Sequence, residues 1–360
     1  MKRSVRINIK RTVLYLLIIL IAVVAKLIVF YILPSKFFFD SNAIMQLMQH
    51  EMPLKLGASY NNTAWLFNRI NFWDFLTLTQ WHIFAGVIYT LVLILLIRKY
   101  EITGMINYAW LFMSVGILNI FAFNLSKEFW QFAVFLIIAL IIQRNTKINT
   151  VFIAVAILIL WGIFYRIYFI LIGAYTVLAY CLFKVFKGSR KNKTLLVFFL
   201  LIFGVMCSLI IARIFSPADY FEIISIRSKV NAGRVGSEDA RTLILSVFQY
   251  NDSLWNYMLN YTINLVRLLF PFELLRGELY YYLFLVYQLI ITLKIFMLIK
   301  SEIKGENDKS RHAALCVYCG FFLGSALFEP DFGSWVRHGA VLFPILVIGF
   351  WERKVIKNDS

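Results

Sequence analysis

The stretch Glu329-Pro-Asp331-Phe-Gly-Ser-Trp-Val-Arg337-His338 gathers two carboxylates, a guanidinium and an imidazole around a backbone that Pro330 and Gly333 interrupt. A carboxylate can take a proton from a hydroxyl, while an arginine beside a helix start can stabilise a departing phosphate. Phe272-Glu273-Leu-Leu-Arg276 repeats the acid and arginine pairing on a smaller scale. Between Ile226 and Arg241 lie Arg227, Lys229, Arg234 and Arg241, with Gly233 and Gly236 among them. Four cations on pliant backbone can wrap a phosphate or diphosphate; as a plain solvated loop they are neutralised by Glu238 and Asp239. Arg166 interrupts the apolar run from Val151 to Phe183 and needs a partner there, either a carboxylate, a lipid headgroup or an anionic substrate group. Lys127-Glu128 reads either as a local ion pair capping a hairpin or as part of the same charged surface. His50 and His82 have no metal-ligand spacing, and Cys316-Val-Tyr-Cys319 lies in an apolar segment without a second pair, so it reads as helix packing. There is no Walker motif, dinucleotide fingerprint or HExxH, so the chain shows no sign of using ATP directly, and neither a cofactor nor a metal is assigned.

The elements that must hold these groups are membrane helices. Of 360 residues, 61% are hydrophobic and 15% charged, which leaves too little polar sequence to surface a soluble enzyme. The expected fold is all-α, one polytopic transmembrane domain over 1–360 with about ten spans. They lie near 12–33, 81–97, 106–124, 128–143, 149–165, 167–184, 194–215, 279–299, 312–328 and 335–351. The first span is too long for a removed signal peptide, and Lys2, Arg3, Arg6, Lys10 and Arg11 before it put both termini in the cytoplasm. The net charge of +17 then sorts by side. Twenty-one basic and six acidic residues fall on cytoplasmic segments, thirteen of each sign fall outside, and Lys26 and Lys294 lie in spans, where they can snorkel. The excess therefore orients the chain and gives no reason to invoke nucleic acid. Residues 106–142 and 149–184, flanked by cationic connectors, must each cross twice as a tight hairpin with its tip outward. Long outer loops run over 34–80 and 216–278. The second is expected to carry amphipathic helices at Leu243–Tyr250 and Leu254–Leu269, the latter stopped by Pro271. Gly320-Phe-Phe-Leu-Gly324 permits close helix contact, and Trp65, Trp73 and Trp81 read as interfacial anchors, although outer-face aromatics also stack on sugars.

The polytopic layout, the Ser126-Lys127-Glu128 hairpin, the Arg166 tip, the Arg-rich outer segment and the motif from Glu329 to His338 together resemble a bacterial Wzy-type polymerase of O-antigen, capsule or exopolysaccharide. The resemblance covers most of the chain in layout and short stretches in sequence. It implies a multi-pass protein of the bacterial cytoplasmic membrane that transfers a growing glycan from undecaprenyl diphosphate to the next lipid-linked repeat. Its partners would be that lipid-linked glycan, membrane lipids and other polysaccharide export or chain-length proteins. On this reading Arg166, Arg241, Arg276 and Arg337, with Lys127 and Arg234, bind the diphosphate. Glu329 or Asp331 is the favoured base, Glu128 is in reserve, and His338 and Glu273 complete the set. Two rivals remain: a lipid-linked glycan flippase or transporter, and another lipid-carrier glycosyltransferase. A transporter should bury charges within several spans and on the inner side.

Overall fold

The computed structural model describes residues 2–144, 149–189, 193–232, 242–248, 253–277 and 279–354. Its helices are α1 (Lys2–Tyr31), α2 (Phe39–Gln49), α3 (Ser59–Arg69), α4 (Leu78–Ile97), α5 (Met105–Ile117), α6 (Lys127–Arg144), α7 (Thr150–Phe164), α8 (Tyr168–Phe186), α9 (Thr194–Phe215), α10 (Pro217–Ala232), α11 (Leu254–Leu269), α12 (Leu279–Lys304), α13 (Lys309–Phe328), α14 (Phe332–Ala340) and α15 (Phe343–Phe350). Two-residue strands β1 (Tyr100–Glu101) and β2 (Glu352–Arg353) pair antiparallel. Among the described residues seven helices are long and apolar enough to cross a membrane, which suggests a membrane protein. The count becomes eight if α14 and α15, bent by 69° at a short break, act as one span. All ten expected segments coincide with helix. Helix α7 is apolar but short for a span, and α6 falls outside the seven. The expected single span over 335–351 is instead divided at Val341-Leu342, ahead of Pro344 in the first turn of α15.

The chain forms two compact units, 1–136 with 340–360, and 137–339. In the first, Lys26 does not snorkel. Its ammonium donates to Asn119 O at 2.9 Å, to Asn124 Oδ1 at 2.7 Å and to Phe123 O. Helix α5 widens at its end into a π-helical turn, Leu118–Ala122, whose closing carbonyls have no helical partner. A cation from α1 takes the carbonyls of Asn119 and Phe123, as cations do at helix C-termini, while Asn124 Nδ2 and Ser126 Oγ donate to those of Ile120 and Ala122. Gly86 of α4 makes room for the lysine, since a Cβ there would overlap Lys26 Cε. His82 is buried, stacked between the rings of Phe30 and Phe38. The two connectors expected inside, after α4 and after α15, meet in the strand pair, and Lys354 adds bonds to Lys99 O and Arg98 O.

In the second unit α13 is the central helix, buried along almost its whole length. Thr176 and Ile172 of α8 lie so close to Gly320 that a Cβ would strike their backbone. Three expected inner connectors also meet here: Ser189 N donates to Ile303 O at 3.0 Å, and Ser310 Oγ donates to Ile142 O at 3.3 Å. Helix α11 forms where expected and ends before Pro271, but it is packed on the bundle. Tyr261 donates to Leu323 O of α13, and Thr292 of α12 donates to Leu269 O. Only one side of it, Trp255, Leu259 and Val266, is exposed. The helix expected over Leu243–Tyr250 is absent from its described part, 243–248. That backbone is engaged elsewhere: Phe332 N donates to Thr242 O at 3.0 Å and Ile244 N donates to Pro330 O at 2.8 Å, while Asn260 of α11 holds Val247 and Phe248.

Candidate functional site

The site in the second unit is built where α13 stops and α14 starts. Pro330 cannot continue α13, so the chain turns at Glu329 and Pro330, and Asp331 caps the new helix. Both Asp331 oxygens are engaged in that cap, Oδ1 with Ser334 N at 2.7 Å and Oδ2 with Ser334 Oγ at 2.9 Å. Gly333 leaves space beside the carboxylate, its would-be Cβ lying 3.2 Å from Oδ1. Trp335, fully enclosed, bonds Gln288 Oε1 of α12 at 3.1 Å and packs on Phe321 and Phe322, which fixes the rotation of α14. That rotation carries His338, one turn beyond Ser334, back to the end of α13. Its Nδ1 lies 2.7 Å from Glu329 Oε1. The Glu329 side chain is 6% exposed, and its Oε2 is buried with no hydrogen-bond partner among the described residues.

This geometry redistributes the expected roles. Asp331 is a helix cap, so neither it nor the start of α14, which it already covers, is open to a phosphate. Glu329 serves as the orienting partner of an imidazole. With Nδ1–H donating to Glu329, Nε2, itself a buried atom, is the ring nitrogen that can accept a proton. Arg337 is the neighbouring residue of α14 and half-buried. Arg166, at the turn between α7 and α8, donates to Tyr168 Oη at 3.4 Å and lies over that ring, and Tyr168 packs on Phe328, directly before Glu329. The structure therefore brings Glu329, Asp331, Arg337 and His338 together where α13 gives way to α14, and links Arg166 to the end of α13 through Tyr168 and Phe328.

Other expected residues go elsewhere. Lys127 pairs with Asp40 at 3.0 Å in the first unit and sits over the ring of Tyr60, 3.9 Å from its centre; Glu128 follows it, buried. Glu273 pairs with Arg267 at 2.6 Å. Arg276 ends the 3-10 turn Phe272–Arg276. Arg234 and Arg241 lie outside the described residues, and the chain resumes at Thr242, the residue bonded to Phe332.

Arg267 is the residue that sequence reasoning missed. Its guanidinium also donates to Leu245 O at 2.7 Å and Asn264 Oδ1 at 3.2 Å and lies over Phe332, so it fastens the 242–248 segment to α11 beside the Glu329 turn. The signal was present: Asn260, Asn264 and Arg267 recur at helical spacing in a largely apolar stretch. A second acid and imidazole pair stands at the other end of α13. Glu302, 0% exposed, meets His312 Nδ1 at 2.8 Å, and Cys316 Sγ lies 3.8 Å from His312 Nε2. The order resembles a nucleophilic triad, with Cys316 itself 0% exposed on the packed length of α13. Among the described residues no three His, Cys, Asp or Glu side chains gather as a metal site requires. Comparison with protein-family models, curated proteins and solved structures finds no match for this chain.

Proposed function

We propose that the chain is a membrane glycosyltransferase that polymerises oligosaccharide repeats carried on undecaprenyl diphosphate, working on the outer side of a bacterial cytoplasmic membrane. The observation that carries this is the Glu329–His338 pair with its unpartnered Oε2. A buried carboxylate oxygen without a donor is costly, and a substrate hydroxyl is a suitable donor. In the proposed step His338 Nε2 takes the proton from the acceptor hydroxyl and Glu329 steadies the imidazolium. The freed oxygen attacks the anomeric carbon of the donor, and the bond to undecaprenyl diphosphate breaks with its electrons on the phosphate. Arg337 and Arg166 meet the charge on the departing diphosphate.

Transport is the second reading, and one observation favours it. The Glu302–His312 pair is a buried ionisable group at the end of α13 that the charge pattern puts inside, where a carrier would need one. Surface glycan on a gel separates the two. With Glu329→Gln at normal protein level, polymerase loss leaves single repeats in place of a ladder, transporter loss removes surface repeats altogether, and an unchanged ladder defeats the assignment of Glu329.

A further inference from the structure

In the first unit α2 and α3 form a fixed pair. Asn68 of α3 donates to Met48 O at 3.0 Å, and Asn62 accepts from Lys55 N at 2.9 Å across the connecting turn. Helix α2 turns Ser41, Ile44 and Met48 inward. Its opposite stripe, Phe39, Ala43, Gln46, Leu47 and His50, recurs at helical spacing and lines, with Tyr60 of α3, a cleft of about 410 Å³. That volume falls within the range of about 300–1,000 Å³ usual for small-ligand sites.

The lining has a definite chemistry. Phe39 and Tyr60 supply ring faces. The side chains of Gln46 and His50 make no hydrogen bond among the described residues, and each can both donate and accept. Beside the lining, Tyr60 donates its hydroxyl to Asp40, an ion-pair partner of Lys127, and the Lys127 ammonium sits over the Tyr60 ring. Among the described residues no lysine or arginine lines the cleft, so the lining itself brings no such cation to a phosphate. It offers aromatic faces to apolar C–H surfaces and two amphoteric polar groups to hydroxyls. A lipid tail would leave Gln46 and His50 unused.

We infer that the α2–α3 cleft is a saccharide-binding subsite, taking an uncharged sugar of the lipid-linked glycan. This rests on the glycan reading of the chain. A photoreactive phenylalanine analogue at Gln46, in the full chain in membranes, tests it with two probes: lipid-linked oligosaccharide, and undecaprenyl phosphate without sugar. Cross-linking to the first, competed by free oligosaccharide released from the same carrier, is the expected result. A Tyr60→Ala chain should cross-link about tenfold less at equal probe, the loss of roughly one good contact; Phe39→Ala gives a second variant at an exposed position. Equal cross-linking to the sugar-free lipid would identify a lipid groove and overturn the inference, as would no cross-linking to either probe. The ladder of the Glu329→Gln chain is scored separately. If the ladder collapses while Gln46 fails to cross-link, the subsite is wrong and the polymerase reading stands. If Gln46 cross-links while the ladder stays intact, the subsite stands and the assignment of Glu329 fails.

Discussion

At the scale of single residues, the two acids of the Glu329 motif separate by what already occupies them. Asp331 has both oxygens on Ser334, whereas Glu329 has one oxygen on His338 and one without a donor. A cap needs an acceptor and no charge, and asparagine caps about as well as aspartate. Asp331→Asn should therefore leave the polymer ladder intact, while Asp331→Ala should cost about 1 kcal/mol in thermal unfolding without removing activity at permissive temperature. Glu329→Gln should do the opposite, reducing turnover by about 10²-fold or more with an unchanged unfolding curve, since it disturbs the tautomer and charge of an acid–base imidazole. If Asp331→Asn abolished polymer and Glu329→Gln did not, the division of roles would be reversed. Such a division cannot be read from spacing, because both acids stand near the same helix start and only the turn of α14 decides which one meets His338.

At the scale of elements, hydropathy marked every apolar helix because lipid imposes its demand on each segment separately. What it missed depends on partners distant in sequence. The π-helical turn at Leu118–Ala122 exists beside an ammonium from α1, and segment 243–248 is extended because Pro330 and Asn260 engage its backbone. Arg267 escaped notice for the same reason: its spacing with Asn260 and Asn264 is visible, but the carbonyl it holds belongs to Leu245. The lysine joint between α1, α4 and α5 makes a quantitative test. A methyl group at Gly86 would overlap the Lys26 stem and displace an ammonium that serves three acceptors. Gly86→Ala should lower stability by about 1–3 kcal/mol in one detergent. In a Lys26→Ala background the same substitution should cost under about 0.5 kcal/mol, because the overlapping stem is gone. Equal costs in both backgrounds would show that Gly86 is not there for the lysine.

At the scale of the whole molecule, the sorting of charge and the meeting of connectors are independent observations that agree within each unit. Connectors rich in Lys and Arg find one another: 98–101 with 352–354 in the first unit, and 189 with 303 in the second. Connectors of the other parity do likewise, as with Asp40 and Lys127, or Thr242 and Phe332. A helical chain that crosses a bilayer an odd number of times between two connectors cannot bond them at one end, so each contact agrees with the expected parity, and the positive excess gives the expected direction. Single cysteines in a background lacking Cys181 and Cys207 test both. Lys55→Cys and Glu222→Cys should react with a membrane-impermeant maleimide from outside intact cells, whereas Lys304→Cys and Glu352→Cys, also exposed in the fold, should react only after permeabilisation. If Glu222→Cys and Lys304→Cys labelled from the same side, the second unit's parity would be wrong and Glu329 would lose the outer face its chemistry requires. If all four sites reversed together, parity would hold and direction would fail, moving the Glu329–His338 pair inward and Glu302–His312 outward.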